Sequence, residues 1–312
     1  MTLTTSRDGR PVTAEMIDPV QAESGMLARR SGPQSEWQRR WRRFRAYRPA
    51  VFALAFVILL FILAIFAPIV APHDPYDTSP RLRGDGPTRD YLLGNDATGR
   101  DILSRLIYGT RIALAVGLGA TAIAVTIGVI IGAASGYFGG WVDLLLSRVV
   151  DTLMAFPTIA LLLVLSAVLS PSLPLVILII GFTVWAAYAR VVRAEVLSIK
   201  ERDFVLAART SGASPARIIF RHVIPNVIGI VIVLASLAVG GVIIYESALS
   251  FLGLGVQPPE PSWGRMLADG RDFIRNYPHI MIAPGIFITL TVLAFNLLGE
   301  GLRDAFDPRG RR

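Results

Sequence analysis

Few side chains in this sequence are suited to catalysis. The chain contains three histidines, His73, His222 and His279, one lysine, Lys200, and no cysteine. A loop that cradles nucleotide phosphates ends in a lysine after a glycine-rich turn, whereas Lys200 follows Leu-Ser-Ile. No Gly-x-Ser-x-Gly turn exposes a nucleophilic serine. We therefore predict no catalytic, metal or cofactor site in this chain, so that any nucleotide hydrolysis that drives it takes place on another polypeptide.

Opposite charges recur four residues apart in a polar segment between the first two hydrophobic stretches. Asp96 precedes Arg100 by four residues, and Asp101 precedes Arg105 by the same spacing. On a helix this spacing brings the two side chains together. We expect both ion pairs on a short helix outside the membrane, either as a solvated cap over the mouth of a helix bundle or as a surface that meets a delivering protein.

A charged stretch at 201–226 lies between two hydrophobic stretches and has the composition of helices rather than of a loop. Gly212 divides it into two short helices, with Ser214 as the N-cap of the second and Pro215 in its first turn, where a missing N–H costs nothing. We call residues 201–226 the elbow and expect it to present a small ridge to a partner protein. The residues assigned to this surface are Leu206, Ala207, Ala208, Gly212, Ser214, Pro215, Ile224 and Pro225.

A membrane-embedded helix bundle must position these segments. With 53% hydrophobic and 17% charged residues and a mean hydropathy of +0.55, the chain is typical of a polytopic membrane protein. Its uncharged stretches are 50–71, 112–142, 152–189, 223–245 and 280–299. The third is about twice as long as the ~20 residues that a span needs, and Ser-Pro-Ser-Leu-Pro at 170–174 interrupts it. Dividing it predicts an all-α protein with six transmembrane helices.

Glycines and charges suggest where some of these helices end. Gly132, Gly136, Gly139 and Gly140 indicate that the second span ends near Ala134. Residues 141–155 then resemble an amphipathic helix at the membrane interface. In this helix Arg148 and Asp151 stand three residues apart and are expected to pair.

The outer end of the fifth span carries a flexible turn. Residues 250–255 read Ser-Phe-Leu-Gly-Leu-Gly, in which Gly253 and Gly255 permit close backbone approach. We interpret this turn as part of an outer gate.

Ionisable residues are almost absent from the predicted spans, whereas secondary transporters place such residues there to bind protons or sodium. Glu246 and Glu300 fall at the ends of the last two helices, where we expect solvated carboxylates. Asn296 is the main polar residue inside a span; it is expected to make an interhelical hydrogen bond, and a pathway-lining role is the alternative. A stand-alone carrier or channel leaves the elbow unexplained, and a scaffold without transport has little use for glycine-rich spans.

Positive charges predict the orientation, because basic segments resist translocation. With both termini in the cytoplasm, the cytoplasmic segments hold 22 of the 31 basic residues. The net charge of +8 is explained by anionic lipid headgroups more simply than by nucleic acid.

The predicted parts are a basic, partly disordered tail at 1–48, a first span at 49–72, an extracytoplasmic segment at 73–111, a five-helix core at 112–302 with a cytoplasmic loop at 195–226, and a cytoplasmic tail at 303–312. The first apolar run begins too late for a cleaved secretory signal.

Several long segments carry a family resemblance. These are the elbow together with Leu93–Arg111, Trp141–Pro157, Ser250–Gly255, Pro261–Gly264, Asn296–Asp304 and Asp307–Arg309. They resemble the C-type permease subunit of dipeptide and oligopeptide importers of the ATP-binding cassette (ABC) class. The elbow is similar to the coupling loop of these permeases, with Leu206, His222 and Ile224 where Glu, Ile and Leu are usual. The resemblance extends from about residue 45 to 309.

The resemblance implies a type I importer (MetI-like) fold in a bacterial plasma membrane. It implies a homologous permease that completes the pathway, two ATPase subunits that bind ATP and Mg²⁺, and an extracytoplasmic solute-binding protein that delivers peptides. The elbow would then couple the ATPases to the spans, and the outer segment would meet the binding protein. Nickel chelates or other small solutes remain alternative substrates.

Overall fold

The computed structural model describes residues 36–169 and 172–306. In these ranges the regular structure is helical and contains no β-strand. The α-helices are α1 (Glu36–Ala46), α2 (Arg48–Ile65), α3 (Ala67–Val70), α4 (Ile102–Phe138), α5 (Gly140–Ala155), α6 (Thr158–Val168), α7 (Leu173–Lys200), α8 (Asp203–Thr210), α9 (Pro215–Ile218), α10 (Ile224–Phe251), α11 (Trp263–Gly270) and α12 (His279–Phe306). Most of the predicted N-terminal tail and the end of the C-terminal tail lie outside the described residues.

In the part of the chain that the structure describes, five continuous helical segments are long and apolar enough to cross a membrane. They are α2, α4, α7, the segment from α9 through α10, and α12. α5 and α6 form a pair bent by 83°, and the described chain has six spans if this pair counts as one. At 1.5 Å per residue, α6 alone is only about 16 Å long. The all-α membrane fold with five or six spans agrees with the predicted fold class.

The second span runs further than the glycines suggested. α4 continues past Ala134 to Phe138 and ends at Gly139, whose φ is +66°. Gly132 and Gly136 lie inside α4 and permit close packing on α7. A Cβ at Gly132 would lie 2.5 Å from the Ala189 carbonyl oxygen, and a Cβ at Gly136 would lie 2.9 Å from the Arg193 carbonyl oxygen. The prediction of an end near Ala134 was wrong because these glycines admit a neighbouring helix rather than terminate their own.

The predicted ion pair between Arg148 and Asp151 was also wrong. Asp151 accepts from Arg190 of α7 (2.7 Å), and Asp143 accepts both Nε and Nη2 of Arg193 (2.6 and 2.7 Å). The two carboxylates therefore face a neighbouring helix. Arginine preceding the acid on one helix is the less favourable orientation for a local pair, and α7 supplies better-placed cations. These contacts tie α5 to the end of α7 that leads into the elbow.

The first span is shorter than predicted and is followed by a break. α2 ends at Ile65, and the short α3 follows after Phe66 instead of a continuous helix to residue 72. At the far end of the bundle, α11 packs against α10, α12 and α4. Trp263 of α11 is 1% exposed and donates its indole N–H to the Leu106 carbonyl of α4 (3.0 Å). This contact fixes α11 to α4.

Candidate functional site

Buried apolar side chains anchor the elbow to the bundle. Val205 of α8, Ile218 of α9 and Val223 before α10 are at most 1% exposed, and they pack in one cluster with Val196 and Ile199 of α7. Burying an aliphatic side chain of this size stabilises a structure by roughly 1.5–3 kcal/mol. The elbow is therefore packed against the ends of α7 and α10.

The first half of the elbow ends in a hydrogen-bonded stop. The Ala213 N–H donates to the Ala208 carbonyl (3.1 Å) and the Gly212 N–H donates to the Arg209 carbonyl (3.1 Å). These two bonds form a Schellman motif, which needs a left-handed residue at the position of Gly212. Gly212 has φ +77°, a value that glycine adopts without strain. The predicted division of the elbow at Gly212 is confirmed.

The second half begins with a cap and contains a π-helical turn. As predicted, the Ser214 hydroxyl caps α9 by accepting a backbone N–H three residues later (3.4 Å), and Pro215 occupies the first turn. Further along, the Ile224 N–H donates to the Ile219 carbonyl, which is π-helical spacing. Pro225 follows directly, and a proline ring clashes with the carbonyl four residues before it in a regular α-helix. The wider turn accommodates this ring.

The outward face of the elbow is more apolar than expected. Ala207 is exposed and Ala208 is half-buried. Phe204 and Leu206 are each 39% exposed, and Phe220 is 71% exposed. Neither phenylalanine is among the residues predicted for this surface, although aromatic residues in a charged connecting segment are a usable signal. Exposed apolar side chains on a rigid polar segment are typical of a protein contact surface.

The polar segment before α4 forms a buried ion cluster with α11. Asp96 accepts from Arg100 Nε (2.7 Å) and from the Arg105 guanidinium. Asp269 of α11 accepts from Arg100 (3.3 Å), Arg105 (3.4 Å) and Arg265 (3.0 Å). The side chains of Asp96 and Arg105 are 2% and 3% exposed. The cluster therefore clamps the start of α4 to α11.

The structure confirms one of the two predicted ion pairs and corrects the other. Asp96 pairs with Arg100, although the two lie in a turn rather than on a helix. Asp101 does not pair with Arg105: it is the N-cap of α4 and accepts the Ser104 N–H (2.9 Å). Side chains four residues apart approach each other only when both residues lie on the helix, and α4 begins after Asp101. Arg105 therefore pairs with Asp96 instead.

Burial also changes what this segment can contact. Asp96, Asp101 and Arg105 are each 2% exposed, so they offer little accessible surface to another protein. Arg100 keeps 18% exposure and borders a cleft of about 270 Å³ beside α11. Arg265 and Glu260 also line this cleft. Of the predicted outer-contact residues in this segment, Arg100 alone keeps an accessible position.

The ion cluster makes the protonation of Asp96 important for stability. Burial alone would raise the pKa of Asp96, but Arg105 and Arg100, with hydrogen bonds from Thr98, hold it below the usual 3.8. A depressed pKa means that ionised Asp96 stabilises the fold above pH 3.8, and that this contribution is lost as the pH falls through the lower folded-state value.

We expect the melting-temperature difference between the wild type and Asp96→Asn to depend on pH. At pH 5 the variant lacks the carboxylate charge of residue 96 and melts at a lower temperature than the wild type. Well below pH 3.8 Asp96 of the wild type is protonated and also uncharged, so the difference in melting temperature narrows. Thermal unfolding of the purified chain at both pH values measures this. A difference that stays constant down to the lowest pH would contradict the assignment of a stabilising charge to Asp96.

The turn after α10 is closely packed at one of its two predicted glycines. A Cβ on Gly255 would lie 2.1 Å from the Ser250 hydroxyl and 2.6 Å from the Ser250 Cα, so this glycine permits the predicted close approach. Gly253 has φ +79° and open space around it. Gly255 therefore has to be glycine because of close packing, and Gly253 because of its backbone conformation.

Glu246 does not lie at a solvated helix end. α10 continues to Phe251, and Glu246 is 1% exposed. Its carboxylate accepts from the Ser250 hydroxyl (2.7 Å) and the Ser247 hydroxyl (3.4 Å). The expectation of a solvated carboxylate was wrong because the turn after α10 and α11 cover this part of α10.

Polar groups on α12 link it to its neighbours. Asn296 is half-buried. The Ser236 hydroxyl of α10 donates a hydrogen bond to the backbone carbonyl of Phe295, which precedes Asn296 (3.5 Å). Glu300 is exposed as predicted and accepts from the Tyr47 hydroxyl (3.1 Å). Within residues 36–169 and 172–306, no three His, Cys, Asp or Glu side chains form a metal-binding group.

Comparisons with known proteins agree with this architecture. Residues 124–312 match the family model of the binding-protein-dependent transport system inner membrane component, and residues 35–87 match that of the N-terminal TM domain of oligopeptide transport permease C. The chain is similar to the dipeptide transport system permease protein DppC of Alkalihalophilus pseudofirmus, with 40% identity over 88% of this chain and 90% of the relative. The oligopeptide transport system permease protein OppC of Haemophilus influenzae is 42% identical over 96% and 94%.

A third relative differs in the solute that its name gives. The glutathione transport system permease protein GsiD of Pectobacterium atrosepticum is 41% identical over 88% of this chain and 92% of the relative. The family matches, the similarity over nearly the whole chain and the multi-span helical bundle lead to one assignment. The chain belongs to the inner-membrane permease components of binding-protein-dependent transport systems and is a non-catalytic permease subunit of an ABC importer.

Proposed function

We propose that this chain forms, with a homologous permease, the membrane pathway for dipeptides or oligopeptides. An extracytoplasmic solute-binding protein delivers the peptide, and two separate ATPase subunits, which bind ATP and Mg²⁺, drive its passage. Both termini and the elbow lie in the cytoplasm, in accord with the basic residues of those segments. Three relatives named for dipeptide, oligopeptide and glutathione transport support a peptide substrate.

The elbow is the observation that carries this proposal. It is a rigid, exposed segment between two spans, with Val205 and Ile218 buried on its inner side and Leu206 and Phe220 accessible on its outer side. Such a segment fits a groove on a partner and moves with the helices to which it is anchored. Closure of the ATPases would pull on it and tilt α7 and α10, and ATP hydrolysis would reset them.

The outer cleft is the surface that we assign to the binding protein. Arg100 and Arg265 line it, and the ion cluster beneath holds its position relative to α11. Charged groups at such a rim act chiefly on the rate and orientation of encounter. Glu260 lies on the same cleft and both arginines are held in ion pairs, so the cleft offers the binding protein charges of both signs.

Purification of the tagged chain from its native membrane tests the assembly. We expect a second permease and ATPase subunits to co-purify. In liposomes containing this complex, peptide uptake should require both ATP and the binding protein. Recovery of the chain alone, with solute flux that ignores ATP, would contradict the proposal and favour a stand-alone carrier or channel.

A further inference from the structure

Glu246 is a buried ionisable residue to which the proposed transport cycle gives no role. It lies on α10, which ends at Phe251, and it is 1% exposed. Among the described residues its hydrogen-bond partners are serine hydroxyls, and no arginine, lysine or histidine pairs with it. Burying a carboxylate without a cation is costly to a fold. The presence of Glu246 in this helix is therefore explained by what its hydrogen bonds hold together.

Two serines connect this carboxylate to the backbone of the segments that follow α10. The Ser250 hydroxyl donates to Glu246 (2.7 Å), and its oxygen accepts the Val256 N–H (3.3 Å). The Ser262 hydroxyl also lies within hydrogen-bonding reach of the carboxylate. As the N-cap of α11, its oxygen accepts the Arg265 N–H (3.2 Å). We call Glu246, Ser250 and Ser262 the Glu246 network. It joins α10 both to the turn that follows it and to the first turn of α11.

The segments that this network joins also pack closely on each other. A Cβ on Gly264 of α11 would lie 2.3 Å from the Ser247 carbonyl oxygen of α10. A Cβ on Gly255 of the turn would lie 2.1 Å from the Ser250 hydroxyl. Both distances are shorter than any normal contact, so glycine is needed at each position. The end of α10, the turn and the start of α11 therefore form one tightly packed junction.

The cleft beside α11 is built largely on this junction. Its lining residues from the turn and from α11 are Pro258, Pro259, Glu260, Arg265 and Asp269. We call these five residues the cleft wall. At its other end α10 begins within the elbow, and its 28 residues make it about 42 Å long. One continuous helix thus connects the elbow to the cleft wall, and the Glu246 network lies where the wall is attached.

We propose that Glu246 is a positioning residue that makes the cleft wall move as one body with α10. The proposal rests on the proposed function for the identity of the two partners, a binding protein at the cleft and an ATPase at the elbow. Both partners would then act on the same helix. When closure of the ATPases tilts α10, the cleft wall tilts with it, and release of the binding protein is tied to the ATP cycle.

Hydrogen exchange of the purified full-length chain in detergent tests the Glu246 network without any partner. Glu246→Leu removes both acceptor oxygens, whereas Glu246→Gln keeps one that still accepts from Ser250. We expect exchange in residues 252–265 to rise at least about tenfold in Glu246→Leu, as for the loss of hydrogen bonds to a carboxylate. It should rise far less in Glu246→Gln. If Glu246→Leu does not fold, Glu246→Asp withdraws the carboxylate by one methylene group and should give the same direction of change.

Ser236→Ala is the matched control for these variants. It removes another hydroxyl of α10, one that donates to α12 instead of to the turn, and should leave exchange in residues 252–265 unchanged. Equal exchange in the wild type and Glu246→Leu, or in the wild type and Glu246→Asp, would overturn the proposal. So would an equal rise in Glu246→Leu and Ser236→Ala, because the effect would then be a general loosening of α10.

Uptake kinetics of the whole complex in liposomes separate positioning from stability. We expect the concentration of binding protein at half-maximal uptake to rise about fivefold in Glu246→Leu, as for the loss of one or two hydrogen bonds, and to be restored in Glu246→Gln. A loss of folded complex alone would lower the maximal rate and leave the half-maximal concentration unchanged, which would overturn the positioning role. Wild-type uptake that ignores the binding protein would instead overturn the proposed function, and the exchange measurements would decide the Glu246 network alone.

Discussion

Replacing Asp96 with alanine is expected to destabilise the protein by about 3–5 kcal/mol, the cost of leaving a buried charge without its partner. The Arg105 side chain is 3% exposed and would retain only Asp269, at 3.4 Å. Because the cluster clamps the start of α4 to α11, the loss should lower the midpoint of thermal unfolding of the purified chain. It should also raise hydrogen exchange in residues 94–106.

Asp272→Ala is the matched control for this prediction. Asp272 is an acid in the same outer region, its side chain is 83% exposed and its nearest cation, Arg271, is 3.7 Å away. Exposed pairs contribute about 0–1 kcal/mol, so this variant should melt like the wild type. Similar losses in the two variants would indicate that the buried cluster is not a clamp.

Gly212→Val is expected to reduce peptide uptake at least tenfold while leaving membrane insertion intact. The φ of +77° lies in the left-handed region, which costs a non-glycine residue about 1–2 kcal/mol and a β-branched residue more. A Cβ at this position meets no atom within 4 Å, so the effect arises from the backbone and not from a clash. The Schellman motif would be lost, and the two halves of the elbow would no longer keep their angle.

Gly212→Asn separates backbone conformation from side-chain size. Asparagine tolerates the left-handed region better than other non-glycine residues, so this variant should retain most of the uptake, despite a side chain similar in size to valine. Uptake by vesicles with equal amounts of each variant is the measurement. Normal uptake by Gly212→Val would refute a coupling role for the elbow, and equal loss in both variants would assign the effect to size.

Local features of the sequence predicted the elbow well. Gly212, Ser214 and Pro215 each act on backbone groups within a few residues, so their types and spacing define the turn and the cap. Hydropathy likewise predicted the spans, because each must bury about 20 residues in lipid. The third span was harder to define, since α5 and α6 meet at a bend of 83°.

Contacts between distant residues could not be predicted in the same way. Arg105 pairs with Asp96 and Asp269 rather than with Asp101, because the true start of α4 decides which carboxylate it reaches. Gly132 was read as a helix end, although its partner is the backbone of α7. Glu246 was expected to be solvated because the sequence of α10 does not indicate that the turn after Phe251 packs over it. Each error concerned a neighbour in space that sequence spacing does not identify.

Site-directed cross-linking tests the coupling role of the elbow most directly. The chain has no cysteine, so Ala207→Cys introduces its sole thiol, at an exposed position of the elbow. With an ATPase partner that carries single cysteines, we expect a disulfide adduct whose yield changes between the ATP-bound and nucleotide-free states. Arg89→Cys, in the exposed outer segment, should give none. Absence of an adduct at 207 with every tested ATPase position, or equal adducts from both sites, would contradict docking of the ATPase on the elbow.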